Sequence, residues 1–187
     1  MIKVIAFDFV GVLVNEKDIE LTSTEEKLER MFGPNINDSD YLVKANKLAG
    51  DDSDVVNMTK DLIGKIYNVR DKKIFKTIKE RYGNLKIIIA TNHLSFIRSF
   101  ISDNFDVYYL DDLIISAEIE KIKPNADFYE YILNKYDILA EELLFIDDNS
   151  DNIRVADELN INTIKVEKDT NLLTEIIKVI DNCNNYC

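Results

Sequence analysis

The stretch Lys3–Val14, KVIAFDFVGVLV, decides how the chain reads. Val4 to Phe7 form an unbroken apolar run that ends in one carboxylate, Asp8, with Gly11 three residues further on. A run without polar alternation fits a strand covered on both faces, as in the centre of a parallel sheet. Glycine then allows the tight turn that leaves the acid at the open end of the strand. A carboxylate presented this way suits a nucleophile or a hard-metal ligand.

The same grammar recurs along the chain. Lys3–Asp8, Leu85–Thr91, Asp106–Tyr109, Leu113–Ser116, Leu143–Asp147 and Thr163–Val166 read as strands. Helical periods separate several of them: Phe128, Ile132 and Tyr136 share one face, and Leu173, Ile176, Ile177 and Ile180 form another. Alternation of strand and helix predicts an α/β fold, a doubly wound, Rossmann-like parallel sheet with helices on both sides. The stretch from Asn15 to Tyr82 interrupts that rhythm with no convincing strand. It reads as helices over Ser23–Phe32, Ser39–Leu48, Ser53–Tyr67 and Arg70–Tyr82, with Gly33-Pro34 and Gly50 marking breaks. Residues 15–69 are therefore expected to form a small all-helical cap inserted after the first strand, and residues 1–14 with 70–187 the α/β core.

Bulk properties narrow the function. The 187 residues are 46% hydrophobic and 31% charged, the balance of a globular domain with a full core. No apolar stretch approaches the roughly 18 residues of a membrane span, and the N-terminus enters a strand without a signal-peptide pattern, so the expected location is cytoplasmic, with no membrane partner. A net charge of -12 argues against a nucleic-acid partner, which would reward clustered Lys and Arg. It leaves room for a small phosphate ester, because a metal ion and one lysine can reverse the local sign. The two cysteines, Cys183 and Cys187, lie in a polar tail far from His93, the one histidine, and read as reduced, idle thiols. The oligomeric state is open.

In doubly wound sheets, ligands bind beyond the carboxyl ends of the strands. The polar residues expected there are Asp8, Thr91 with Asn92, Lys123 before Pro124, and Asp147-Asp148-Asn149. A carboxylate can attack phosphorus, oxygen donors of Asp8 and Asp148 suit Mg²⁺, and an ammonium offsets phosphoryl charge. The turn through Gly11 exposes backbone N–H groups to the same place.

These residues resemble, in order, the four motifs of the haloacid dehalogenase superfamily of hydrolases, in the branch with a helical cap after strand one. The matches are Asp8-Phe-Val10-Gly11-Val12, Ile-Ile-Ala-Thr91-Asn92, Lys123-Pro124 with Phe128, and Phe145-Ile-Asp147-Asp148-Asn149-Ser-Asp151-Asn152. The resemblance implies an Mg²⁺-dependent phosphatase acting on a small phosphorylated metabolite through an aspartyl-phosphate. It makes Asp8 nucleophile and metal ligand, Asp148 a metal ligand with Asp147 in support, and Thr91 and Lys123 the groups that hold the phosphoryl. Asn92 and Gly11 are expected to contact substrate. Val10 stands where the family usually carries a second acid; it keeps the backbone carbonyl for the metal and cannot protonate a leaving group. A positioned general acid is worth about 10²–10⁴-fold, so three readings stay open: activated acyl or anomeric phosphates as substrates, a proton from another residue or water, or phosphate binding with little turnover. His93 is a candidate replacement donor, or simply the start of the next helix. Lys121 is a near neighbour of Lys123, which Pro124 and the spacing to Phe128 favour. Asp151 and Asn152 read as helix-start residues, and Asp51-Asp52-Ser53-Asp54 as a solvated helix start. Two alternatives remain: a 2-haloacid dehalogenase-type hydrolase, and a non-catalytic phosphometabolite-binding module.

Overall fold

The structure is a computed structural model that describes residues 1–50 and 53–185. In chain order the elements are β1 (Val4–Phe7), β2 (Val14–Glu16), α1 (Ser23–Glu29), α2 (Asp38–Ala49), α3 (Val55–Ile66), β3 (Tyr67–Val69), α4 (Ile74–Arg81), β4 (Lys86–Thr91) and α5 (Ile97–Asn104). After them come β5 (Asp112–Ile115), α6 (Ser116–Ile119), α7 (Ala126–Tyr136), β6 (Leu143–Asp147), α8 (Ser150–Glu158), β7 (Asn162–Lys165) and α9 (Leu172–Asn185). Five strands make one parallel sheet in the order β5-β4-β1-β6-β7. This is the α/β, Rossmann-type architecture that the strand–helix alternation predicts.

The central strand β1 is buried along its whole length, and its side chains divide by parity between two apolar layers. Ile5 and Phe7 join Ile87, Ile89, Leu144 and Ile146 on one face, under α4, α5 and α9. Val4 and Ala6 join Ile88, Ala90 and Phe145 on the other, under α7 and α8. Phe128 and Ile132 pack there as their spacing predicts, and Ile176 and Ile180 do so on the first face. Each fully buried Ile or Phe contributes about 1.5–3 kcal/mol relative to exposure, so the sheet centre is a well-anchored platform for whatever its strand ends carry.

Three expectations fail. Val107–Tyr109 is one turn of 3-10 helix, not a strand, and Tyr108 is 85% exposed; the turn, closed by the Leu110 N–H on Val107 O at 3.2 Å, leads into β5. The stretch 15–82 does contain strand: β2 and β3 pair antiparallel, Val14 opposite Val69 and Glu16 opposite Tyr67. Three residues are too few to show a period of two. The expected helix at Arg70 also starts later, at Ile74, because Arg70 and Asp71 serve the turn, where Asp71 accepts the Lys73 N–H at 2.8 Å.

Helices α1 to α3 lie between the two strands of this ribbon. A capping box of Thr22 and Glu25 starts α1, and Asp54 caps α3 by accepting from Asn57. The neighbouring Asp51 and Asp52 lie outside the described residues, as does Cys187. Leu28, Tyr41, Ala45 and Leu62 belong to the same apolar cluster as Ile5 and Phe7. Phe9 bridges the two regions, with edge contacts to Tyr67, Phe100 and Phe105 at 5.8, 5.9 and 6.4 Å.

Candidate active site

Strand β1 delivers Asp8 directly: its N–H still donates to Ile146 O at 2.8 Å, one residue beyond the strand. The backbone then closes on itself. Leu13 and Val14 both donate to Phe9 O, at 2.9 and 3.0 Å, and Gly11 donates to Val14 O at 2.8 Å. Gly11 adopts φ +83°, a conformation that L side chains rarely take. Its α-carbon also faces Asp148 so closely that a Cβ there would lie 2.2 Å from a carboxylate oxygen. Gly11 thus admits the Asp148 side chain to the space beside Asp8.

Strand β6 delivers Asp147, fully buried at its end. Both carboxylate oxygens are held. Oδ1 accepts from the Asn149 N–H at 2.8 Å, and Asn152 Nδ2 reaches both oxygens at 3.0 Å. Asn152 is therefore more than a helix-start residue: from the first turn of α8 it fixes Asp147, and Tyr129 donates to its carbonyl at 2.9 Å. Asp151 faces outward and pairs with Arg154 at 3.7 Å.

Between the two strand ends lies Lys123, 3% exposed. Its Nζ donates to Asp8 Oδ1 and Asp147 Oδ2, each at 2.7 Å. Lys121 points elsewhere and pairs with Asp127 at 2.8 Å. The Asn92 side chain binds the backbone of Lys123 at both N–H and C=O, at 2.9 and 2.8 Å. Thr91 closes β4, 2% exposed.

One ammonium faces three carboxylates, since Asp8, Asp147 and Asp148 bring oxygens within 4.8 Å of one another. Burial and the excess negative charge leave a mark. Asp8 is raised from its ordinary value to about 6, chiefly by burial, with Lys123 opposing and Asp147 adding to the rise. Asp148 is raised by desolvation and then by Asp147. Lys123 would be lowered by burial, but Asp8 and Asp147 outweigh this and hold it charged. A small divalent cation would relieve the imbalance, and the donors are the hard oxygens that Mg²⁺ prefers. Asp147 already has both oxygens engaged, so Asp8 and Asp148 are the side chains free to hold such an ion.

His93 sits apart from this chemistry. It is 2% exposed, its Nδ1–H faces Leu94 O at 3.1 Å, and its Nε2 then accepts from the Tyr67 hydroxyl at 3.1 Å. Burial lowers it to about 4, so the ring is neutral, and both nitrogens are engaged. Phe32 stacks near it with centroids 5.5 Å apart. The ring joins the sheet end to the helical segment, and no nitrogen is left to protonate a leaving group.

Sequence reading also missed Arg70. From the residue after β3 it donates through Nη1 to Gly11 O at 2.9 Å, while its own N–H donates to Leu13 O at 3.0 Å. The return from the helical segment is thereby stitched to the loop that carries Asp8. A lone arginine after three β residues carries no motif; only the fold brings it to Gly11, 59 residues earlier.

Comparison with known proteins places the chain among relatives. A family model described as haloacid dehalogenase-like hydrolase matches residues 5–166. A glyceraldehyde 3-phosphate phosphatase of Methanocaldococcus jannaschii is 26% identical over an alignment covering 90% of this chain and 86% of that protein. Among solved structures, a predicted HAD-like hydrolase from Porphyromonas gingivalis superposes with a TM-score of 0.74 at 16% identity, covering 96% of this chain and 98% of that one. A HAD family enzyme from Bacteroides thetaiotaomicron, in complex with magnesium and inorganic phosphate, gives 0.71 at 16% identity over 91% and 97%.

Proposed function

The chain belongs to the haloacid dehalogenase-like hydrolases, and from that premise we propose that it is an Mg²⁺-dependent phosphatase of a small phosphorylated metabolite, with Asp8 as nucleophile. The observation that carries this reading is the buried Lys123 ammonium 2.7 Å from both Asp8 and Asp147, beside a third carboxylate, Asp148. A carboxylate beside a fixed cation and a site for a second one suits attack on a phosphoryl group, whose charge those cations offset. The phosphatase names of a full-length relative and of D-ribitol-5-phosphate phosphatase, matched over 39% of this chain, point the same way. So does the magnesium and phosphate complex of the Bacteroides enzyme.

In the proposed reaction, an Asp8 oxygen attacks phosphorus, the bond to the leaving-group oxygen breaks, and an aspartyl-phosphate forms on Asp8. Water then attacks that phosphorus and returns the free carboxylate and inorganic phosphate. Lys123 and Thr91 hold the phosphoryl oxygens, and Asn152 and Asn149 keep Asp147 oriented as the counter-charge to Lys123. Asp8, Asp148 and the Val10 carbonyl would hold the Mg²⁺, which supplies positive charge to the same oxygens. Val10 offers no proton, and both His93 nitrogens are engaged. The reading therefore favours phosphates with good leaving groups, such as acyl or anomeric sugar phosphates, where protonation matters least.

Helices α1 to α3 act in this reading as a cap that sets specificity. A cavity of about 370 Å³ lies between the cap loop at Pro34–Asn37 and the core segment that flanks Lys123, including Ile122 and Asn125. Its lining sets the amides of Asn35, Asn37 and Asn125 beside the charged Glu120, Lys121 and Asp127, a polar surface that suits the hydroxylated remainder of a metabolite. Among the described residues no helix is long and apolar enough to cross a membrane.

The deciding experiment is a phosphatase screen with and without Mg²⁺ that includes acyl, anomeric and aryl phosphates, run beside Asp8→Asn. Turnover that needs Mg²⁺ and vanishes in the variant is the expected outcome. Undiminished hydrolysis by Asp8→Asn would sink the mechanism, and halide release from a 2-chloroacid without Mg²⁺ would redirect it to carbon–halogen chemistry.

A further inference from the structure

We propose that Asn92 is a positioning residue for Lys123: its side-chain amide clamps the Lys123 backbone and so fixes where the ammonium stands over Asp8. The inference rests on the reading of Lys123 as a phosphoryl-holding group, and it reassigns Asn92 from contacting substrate to placing the residue that does.

Lys123 needs such a device. It lies in the segment between α6 and α7, outside the sheet, so no strand ladder sets its height above the strand ends. Its four-carbon stem is flexible, and an ammonium is a point charge with no directional fork to orient it. In the structure the far end is held by Asp8 and Asp147 at 2.7 Å each. The bond to Asp8 is one a phosphoryl group would exchange with its own oxygens, which leaves Asp147 alone to hold the ammonium during reaction. The near end must be fixed by something that substrate does not displace.

Asn92 meets that need with matched chemistry. Its Nδ2 donates to Lys123 O at 2.8 Å, and its Oδ1 accepts the Lys123 N–H at 2.9 Å. Both groups of one residue can face one partner when that residue is extended, as in the hydrogen-bonded pair of an antiparallel ladder. Pro124 keeps the residue before it out of the helical region, and a turn closed by the Asn125 N–H on Ile122 O at 2.9 Å leaves both backbone groups of Lys123 to Asn92. A primary amide offers one acceptor and one donor on the same edge, and no other short side chain presents that pair. Asn92 follows directly on the last residue of β4, so the side chain continues the ladder where the backbone strand stops. The clamp also joins Thr91 and Lys123, the two proposed phosphoryl holders, into one unit anchored on a buried strand.

The test combines a structural readout with a double-mutant cycle. Hydrogen exchange of the Lys123 amide is followed by NMR in wild type and Asn92→Ala; loss of the Oδ1 acceptor should speed it at least ~10-fold. On p-nitrophenyl phosphate with Mg²⁺, Asn92→Ala should lower kcat/KM by about 10–100-fold, the range seen when a supporting contact is removed. Asn92→Asp, which keeps the acceptor and loses the donor, should fall between. In a Lys123→Ala background the Asn92 substitution should add almost nothing, because its effect runs through the lysine. Additive losses would mean that Asn92 touches substrate itself and would overturn the proposal, as would unchanged exchange in Asn92→Ala. If the wild type hydrolyses no phosphate ester, the phosphatase reading fails while the exchange comparison still decides the clamp.

Discussion

Replacing Gly11 with alanine tests how tightly the Asp8 loop and Asp148 are fitted together. The new Cβ would lie 2.2 Å from Asp148 Oδ2 and 2.4 Å from its Cγ, where ordinary contact begins at 3.4 Å. The carboxylate must therefore retreat by at least about 1.2 Å, which is 3.4 minus 2.2. Because it is the end of a flexible side chain, the retreat itself is cheap. The backbone is less forgiving: φ +83° in a residue with a Cβ costs about 1–3 kcal/mol. For a domain of this size that is a fall in Tm of roughly 2–12 °C. Function should suffer more than stability, since a 1 Å misplacement at a reacting centre can cost about 10²-fold. Melting curves, Mg²⁺ titration and kcat/KM on one phosphate ester would be compared for Gly11→Ala and Gly64→Ala. Gly64 is an internal residue of α3 whose added Cβ meets nothing within 4 Å, so its variant should gain about 0.5–1 kcal/mol with the site untouched. A Gly11→Ala protein with wild-type Mg²⁺ affinity and turnover would refute the fitted contact.

Val10→Asp should raise hydrolysis of alkyl phosphates, the substrates most in need of a proton donor, by up to about 10²–10⁴-fold; a folded, Mg²⁺-binding variant with no gain would show that the proton comes from elsewhere. Asp8 supplies a pH prediction. Its folded pKa, about 6, lies above the ordinary 3.8, so its contribution to metal-free stability is full below about pH 4 and disappears as pH rises through 6. Magnesium binds the ionised form, so the Mg²⁺-induced rise in Tm should be small at pH 5 and large at pH 7.5, and a rise independent of pH would contradict the shifted carboxyl. Tyr67→Phe strips the His93 Nε2 of its donor inside the core and should cost about 1–3 kcal/mol in denaturant unfolding. Turnover per folded molecule should hold, whereas a collapse of kcat at unchanged stability would return a proton-transfer role to this pair.

What the sequence reveals and hides follows from the range of the forces involved. The strands β1, β4 and β6 are legible because burial on both faces demands unbroken apolar runs, and the polar residue that ends each run falls at the strand tip by construction. Asp8, Thr91 and Asp147 needed no tertiary information beyond that. Lys123 was legible through Pro124 and the helical spacing to Phe128. The ribbon of β2 and β3 was not, because three-residue strands 51 residues apart in sequence leave no periodic trace and are held by tertiary pairing alone. Arg70, Asn152 and the clamp of Asn92 share that obscurity: each is an ordinary polar residue whose meaning depends on a partner that only the folded chain supplies.

Val10 inverts the pattern, since the sequence shows the missing carboxylate at once but not what its loss does to the site. Asp8, Asp147 and Asp148 already set three carboxylates against Lys123, and burial has raised Asp8 to about 6. A fourth carboxylate two residues from Asp8 would press that value higher still and delay ionisation of Asp8 in the metal-free state. The valine at position 10, partly buried and packed against the same apolar cluster as Phe9, removes that pressure. On the proposed reading, the residue that offers no proton therefore also eases ionisation of Asp8, which suits a substrate whose leaving group departs without protonation.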